Sequence, residues 1–186
     1  MFVSGWLLRR SGTAAEMTAK QDRLGVGPKW ALPTTVYFVV AVIAHFAAYP
    51  RFVIAQVPFT VCAVVGALLM AAGAYTYAAA LVSLRGGRRA GVLVTHGLYA
   101  VVRHPLYASS IFLIIPGVAL AFRSWLLLPM PLVAYAAFRI FVSAEDNDLR
   151  ERYGDDFVRY RNTTNALFPT LPRWLCACGP GQKEKE

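Results

Sequence analysis

Between Asp22 and Glu145 the chain contains no aspartate and no glutamate. A soluble domain scatters both signs of charge over its whole surface to stay in water. A long stretch stripped of carboxylates, with arginines kept only at intervals, is instead the pattern of apolar segments that cross hydrocarbon and are joined by loops of one charge sign. Hydrophobic residues make up 57% of the 186, with a mean hydropathy of +0.47, which places the chain among integral membrane proteins. Its net charge of +9 would also suit nucleic acid. The basic residues flank apolar runs and form no stripe on a soluble face, so anionic lipid headgroups are the expected partner and nucleic acid is not.

Four runs are long enough to cross a core of about 30 Å, which takes roughly 20 helical residues. They are 30–49, 57–84, 106–122 and 125–144. The expected fold is therefore all-α and polytopic, with about four transmembrane helices. In the second run Ala63, Gly66, Ala67, Gly73 and Ala74 recur at helical spacing, so a neighbour can approach closely. Pro116-Gly117 and Pro129/Pro131 fall inside the last two runs and predict kinks there. His45, in the first run, reads as a packed or interfacial histidine.

Lysine and arginine fix the expected orientation. Arg9, Arg10, Lys20, Arg23 and Lys29 precede the first run, and Arg85, Arg88, Arg89 and Arg103 lie between the second and third. Seven more basic residues, from Arg150 to Lys185, follow the fourth, whereas the other two connections hold only Arg51 and Arg123. Rich and poor segments alternate in step with four crossings, which puts both termini and the 85–105 loop in the cytoplasm. Residues 1–29 read as an interfacial arm with Trp6 as anchor, 30–172 as the membrane domain and 173–186 as a flexible tail. Cys176 and Cys178 in that tail lack the further ligands a metal site needs, and no metal is expected.

Two polar clusters then share the cytoplasmic side. The first is 97–107, Gly-Leu-Tyr-Ala-Val-Val-Arg-His-Pro-Leu-Tyr; the second begins at Glu145-Asp146. After it Leu149, Tyr153, Phe157 and Tyr160 form one apolar helical stripe, with Gly154-Asp155 a candidate break. Residues 162–172 read as an extended strap. Polar groups at a membrane boundary are costly unless satisfied, and a ligand with polar parts satisfies them. Arg103 and His104 suit a carboxylate, Glu145 an ammonium or ribose hydroxyls, and Tyr99 and Tyr107 a purine ring. S-adenosylmethionine has all of these parts, and its sulfonium is drawn to aromatic faces.

The motif Gly97-x-Tyr99-x-x-x-Arg103-His104-Pro105-x-Tyr107, followed by the acidic pair, Leu149, Tyr153-Gly154, Phe157 and Tyr160, resembles the isoprenylcysteine carboxyl methyltransferase family and its relatives, the phospholipid methyltransferases. The resemblance covers about 93–169. It implies a helical membrane enzyme that binds S-adenosyl-L-methionine (S-adenosyl-L-homocysteine as product) in a cytoplasmic pocket closed by the C-terminal segment. A lipophilic acceptor enters from the bilayer. By the same resemblance the cofactor is held by segments 91–107 and 145–169, at Leu93, Val94, Tyr99, His104, Pro105, Leu106, Tyr107 and Glu145.

Three positions depart from the family pattern: Ser109 stands for a glycine, Asp146 for a second glutamate, and Phe141 for the substrate arginine. Arg139 is the nearest replacement for that arginine, so Arg139 and Arg103 are the expected catalytic residues. No buried base other than His45 is evident in the spans, which favours an isoprenylcysteine-type carboxylate or another anionic acceptor over an amine. Two alternatives stay open: a nicotinamide-dependent (NADPH) membrane reductase of the sterol-reductase type, and a non-catalytic lipid-binding module.

Overall fold

The computed structural model describes residues 27–169, all helical apart from turns, loops and one isolated bridge. Trp6, Cys176, Cys178 and the tail 173–186 lie outside the described residues. The first helix, α1, is Gly27–Ala47. The second, α2, is Phe59–Ala90, 32 residues and so about 48 Å long. It outruns the expected 57–84 by six residues because nothing in Arg85-Gly86-Gly87-Arg88-Arg89 stops a helix. Gly91 does, with φ 68°, while Gly91 N–H donates to Arg88 O and Val92 N–H to Gly87 O. That pair of bonds is a Schellman cap, which only a residue at ease with positive φ can close cheaply.

After a loop and the short α3 (Leu98–Val101) the chain re-enters helix at α4 (Pro105–Ser109), which continues through a π turn (Ser110–Ile114) into α5 (Ile115–Ala121). Pro116 has no N–H to donate, and the wider turn just before it absorbs the irregularity, with Ile115 N–H reaching back to Ser110 O. Turns occupy 122–129, and the last helix, α6, is Met130–Thr163. Here the sequence expectation needs correcting. The fourth run starts as helix at 130, not 125, and Pro129 and Pro131 set its first turn instead of kinking it, because a first turn has no use for those N–H groups. The expected break does occur: Gly154 sits at φ 55°, ψ −130° inside α6. The extended segment begins at Thr164, two residues later than the sequence suggested.

Among the described residues two helices, Lys29–Ala47 within α1 and Phe59–Ala90, are long and apolar enough to cross a membrane, and the third apolar run, Pro105–Ala121, is shorter. Their outer faces carry exposed Val40, Ile43, Phe46, Leu68, Tyr75 and Val82, as expected of helices facing lipid. α2 packs on α4, the π turn and α5, whereas α1 packs on α6. Buried Gly66, Gly73, Ala80 and Gly87, seven residues apart, make the inner face of α2. A methyl added at Gly66 would lie 2.8 Å from Gly117 O, so the two backbones touch where both residues are glycine.

At the end of the bundle away from Glu145, Arg123 fastens the turns. It adopts φ 48°, and its Nη2 donates to Ile54 O at 2.6 Å and Val57 O at 2.7 Å. Ile54 N–H in turn donates to Arg123 O at 2.7 Å. His45 is buried nearby on α1, edge-on to Phe46 and Tyr49, in keeping with a packed histidine.

Candidate functional site

The 97–107 segment is shaped by its own residues. Gly97 takes φ 63°, turning the chain into α3, and His104 precedes Pro105, which starts α4 at the position where proline is best tolerated. Two backbone donors of this loop point back at the strap that follows α6. Arg103 N–H donates to Asn165 O at 2.8 Å and His104 N–H to Ala166 O at 3.0 Å. The post-Gly154 part of α6 folds over the same loop, its Tyr160 hydroxyl donating to Tyr99 O at 2.6 Å. Burial pushes the Tyr160 phenol up to about 12, and pushes Tyr99 up as well, so both stay protonated donors at neutral pH.

The two clusters meet through three side-chain bonds. Tyr107 Oη donates to Glu145 Oε2 at 2.9 Å. Arg103 Nη1 donates to Asp146 Oδ2 at 2.9 Å, and His104 Nε2 donates to Asp146 Oδ1 at 3.1 Å. Burial alone would raise the Asp146 pKa; the bonds and charges of His104 and Arg103 outweigh it and hold the carboxyl below its usual range. Aromatic packing fixes the rest. The Tyr107 ring lies 5.2 Å from both Trp30 and Phe138, and His104 lies 5.5 Å from Phe138. Trp30 is itself tied across the helix pair by Nε1–H donating to Ala134 O at 2.8 Å.

Between α2 and α6 these groups enclose a cavity of about 280 Å³, just under the usual range of roughly 300–1,000 Å³ for small-molecule pockets. Val94, Tyr99, Leu84 and Leu106 line it, and the first two pack on buried Ala80 of α2 in one small apolar cluster. Leu93, Val94, Tyr99, His104, Pro105, Leu106, Tyr107 and Glu145 all line this one space, and so does Arg103.

Arg139 does not line it. Six residues before Glu145 in a regular helix, it is turned about 120° away; it is exposed, and its bond is to Tyr135 Oη at 3.5 Å. Arg139 therefore does not share the cavity that the expected cofactor residues line. Arg103 is committed to Asp146, although its Nε is buried with no acceptor.

Sequence reasoning underrated Asp146 and missed Arg88, Asp148 and Arg152. On α6 the spacing 145, 148, 149, 152 marks a single helical face and could have found two of them. Arg88 was hidden by ending the second run at 84, although it stands one turn after Leu84 on the same face. Ser109, which stands where the family pattern has glycine, donates its hydroxyl to Pro105 O at 2.8 Å.

Among known proteins, the family model described as phospholipid methyltransferase matches residues 60–156, just over half of the chain. No curated protein matches the chain. The matched segment runs from the start of α2 to just past Gly154 and contains every residue lining the cavity except Tyr160. On that match the chain belongs to the phospholipid methyltransferase family of integral membrane proteins, and methyl transfer at a membrane is the activity that membership carries.

Proposed function

We propose that the chain transfers a methyl group from S-adenosylmethionine to a lipophilic acceptor at the cytoplasmic face of a membrane. The observation that carries this reading is the Tyr107–Glu145 bond at 2.9 Å. It joins two segments far apart in sequence around one cavity that all eight expected cofactor residues line. The donor set fits a zwitterionic nucleoside. Arg103 keeps an unmatched buried N–H for a carboxylate, Glu145 offers an anionic oxygen to an ammonium or to ribose hydroxyls, and the Tyr99 and Tyr107 rings offer faces to a purine. On this reading the four crossings are α1, α2, the α4–α5 run and the first part of α6. The lysine and arginine pattern supports an inner-side position for both termini, the cavity and the Gly154–Tyr160 cover.

When bound, the cofactor supplies a methyl on a sulfonium; the acceptor's lone pair forms the new bond to carbon while the S–C bond breaks and its electron pair stays on sulfur. The protein's work is alignment and exclusion of water. Tyr107 on α4, its ring backed by Phe138 of α6, walls the site, and Tyr160 lines it from the far part of α6. A carboxylate acceptor needs no proton removed. A protonated amine must first lose one, and among the described residues the only carboxylates lining the cavity are Glu145, which accepts from Tyr107, and the exposed Asp148.

Calorimetry with S-adenosylhomocysteine tests the reading. Glu145→Ala and His104→Ala should each weaken binding tenfold or more, equivalent to about 1.4 kcal/mol. Unchanged affinity in both variants refutes it. The reductase alternative makes the opposite forecast, saturable binding of reduced nicotinamide nucleotide.

A further inference from the structure

Two cations stand at the cavity where α2 and α6 face each other. Arg88 is in the last turn of α2 and Arg152 lies on α6 two turns beyond Glu145; both line the cavity and both are exposed. Arg88 is close enough for its charge to bear on the Tyr99 hydroxyl. Solvated surface arginines on a helix tend to pair with acids one turn away. Arg152 has Asp148 and Asp156 at those positions, yet among the described residues every ion pair converges on Asp146 and none involves Arg88 or Arg152. The same lining carries the apolar side chains of Leu84, Leu106 and Leu149 together with the carboxylates of Glu145 and Asp148. Because α2 is about 48 Å long, its last turn extends past a hydrocarbon core of about 30 Å and into the headgroup zone.

We propose that Arg88 and Arg152 are the specificity-determining pair that reads an oxyanion, carboxylate or phosphate, on the methyl acceptor while Leu84, Leu106 and Leu149 take the start of its lipid chain. The assignment rests on the methyltransferase reading for the word acceptor, but the oxyanion site itself does not. It moves the recognition role expected of Arg139 to two residues that actually face the cavity. Two guanidinium groups on different helices can hold one oxyanion from both sides, at a headgroup depth where its charge stays partly hydrated.

The test uses the full chain in a neutral maltoside detergent and calorimetric titration with three probes: dodecanoate, dihexanoyl phosphatidylethanolamine and dodecanol. At least one oxyanion probe should bind tenfold or more tightly than dodecanol. A preference for dodecanoate identifies a carboxylate and a preference for the phospholipid a phosphate. The double variant Arg88→Gln/Arg152→Gln should lose the preference, and Arg88→Lys/Arg152→Lys should recover part of it. Arg150→Gln, exposed and away from the cavity, should keep it.

If the double variant does not fold, each single Gln variant should still lose threefold or more. Equal binding of dodecanol by the wild type, or a preference that survives the Gln changes, overturns the proposal. So does a tenfold loss of S-adenosylhomocysteine affinity in the Gln variants, which would give the arginines to the cofactor's carboxylate. Oxyanion binding through Arg88 and Arg152 in a chain that never binds S-adenosylhomocysteine would keep this site and remove the methyltransferase reading instead.

Discussion

Replacing Asp146 by asparagine is the sharpest structural test of the site. The Asp146 side chain is 9% exposed and takes bonds from Arg103 at 2.9 Å and His104 at 3.1 Å. Asparagine keeps the shape, loses the charge, and leaves the Arg103 guanidinium, itself with 10% side-chain exposure, without its counterion. Breaking a buried pair from one side costs about 3–5 kcal/mol, and the retained hydrogen-bonding shape puts Asp146→Asn at the lower end, about 3 kcal/mol. For a chain of this size that is a fall in Tm on the order of 10 °C. Thermal unfolding of the purified protein in detergent, followed by circular dichroism, reads it directly.

Two companions locate the cause. Arg161 approaches Asp146 only at 3.9 Å and is 52% exposed, so Arg161→Gln should cost less than about 1 kcal/mol. Arg103→Met/Asp146→Leu, which removes both charges, should be more stable than Asp146→Asn alone. An Asp146→Asn protein melting within 2 °C of wild type would refute the claim that this pair locks the two clusters together.

Gly117→Ala should cost about 1–3 kcal/mol, because the new methyl would lie 2.8 Å from Gly66 O, whereas Gly86→Ala, with nothing within 4 Å, should be neutral or gain up to about 1 kcal/mol; chemical denaturation separates them. Gly154→Ala should lose about 1–3 kcal/mol despite open space around it, since φ 55° with ψ −130° strains any residue with a Cβ. Acid should unfasten the site in a set direction. The folded Asp146 pKa is lowered, so its contribution is full at neutral pH and lost as pH falls below about 4 through the folded value. A wild-type Tm that drops below pH 4 more steeply than that of Asp146→Asn is the expected result.

Much of this was legible in the sequence, for identifiable reasons. The carboxylate-free stretch and the arginine spacing mark apolar helices because hydrocarbon penalises charge wherever it occurs. The two polar clusters could be brought to one place because two helices joined by a short connection are neighbours. What could not be read were features decided by which face a helix turns inward. Arg139 looked like a substitute by proximity in sequence but lies about 120° around α6 from Glu145. Asp146 looked like a shortened copy of its neighbour, yet it holds Arg103 and His104 while Glu145 holds Tyr107. The ends of α2 and α6 were misplaced for a related reason. Apolar patterning and backbone hydrogen bonding end at different places: α2 runs past its apolar run until Gly91, whereas the apolar run at α6 begins five residues ahead of the first helical residue, Met130, which follows Pro129.

The carbonyls of Asn165 and Ala166 receive the backbone N–H groups of Arg103 and His104, so the loop that carries the motif is closed by a part of the polypeptide made some sixty residues later. A nascent chain still lacking that piece has its helices and its histidine but two open amides where the fastening belongs. The fastening therefore forms late in synthesis, and a translation product halted ahead of Thr164 is made without it.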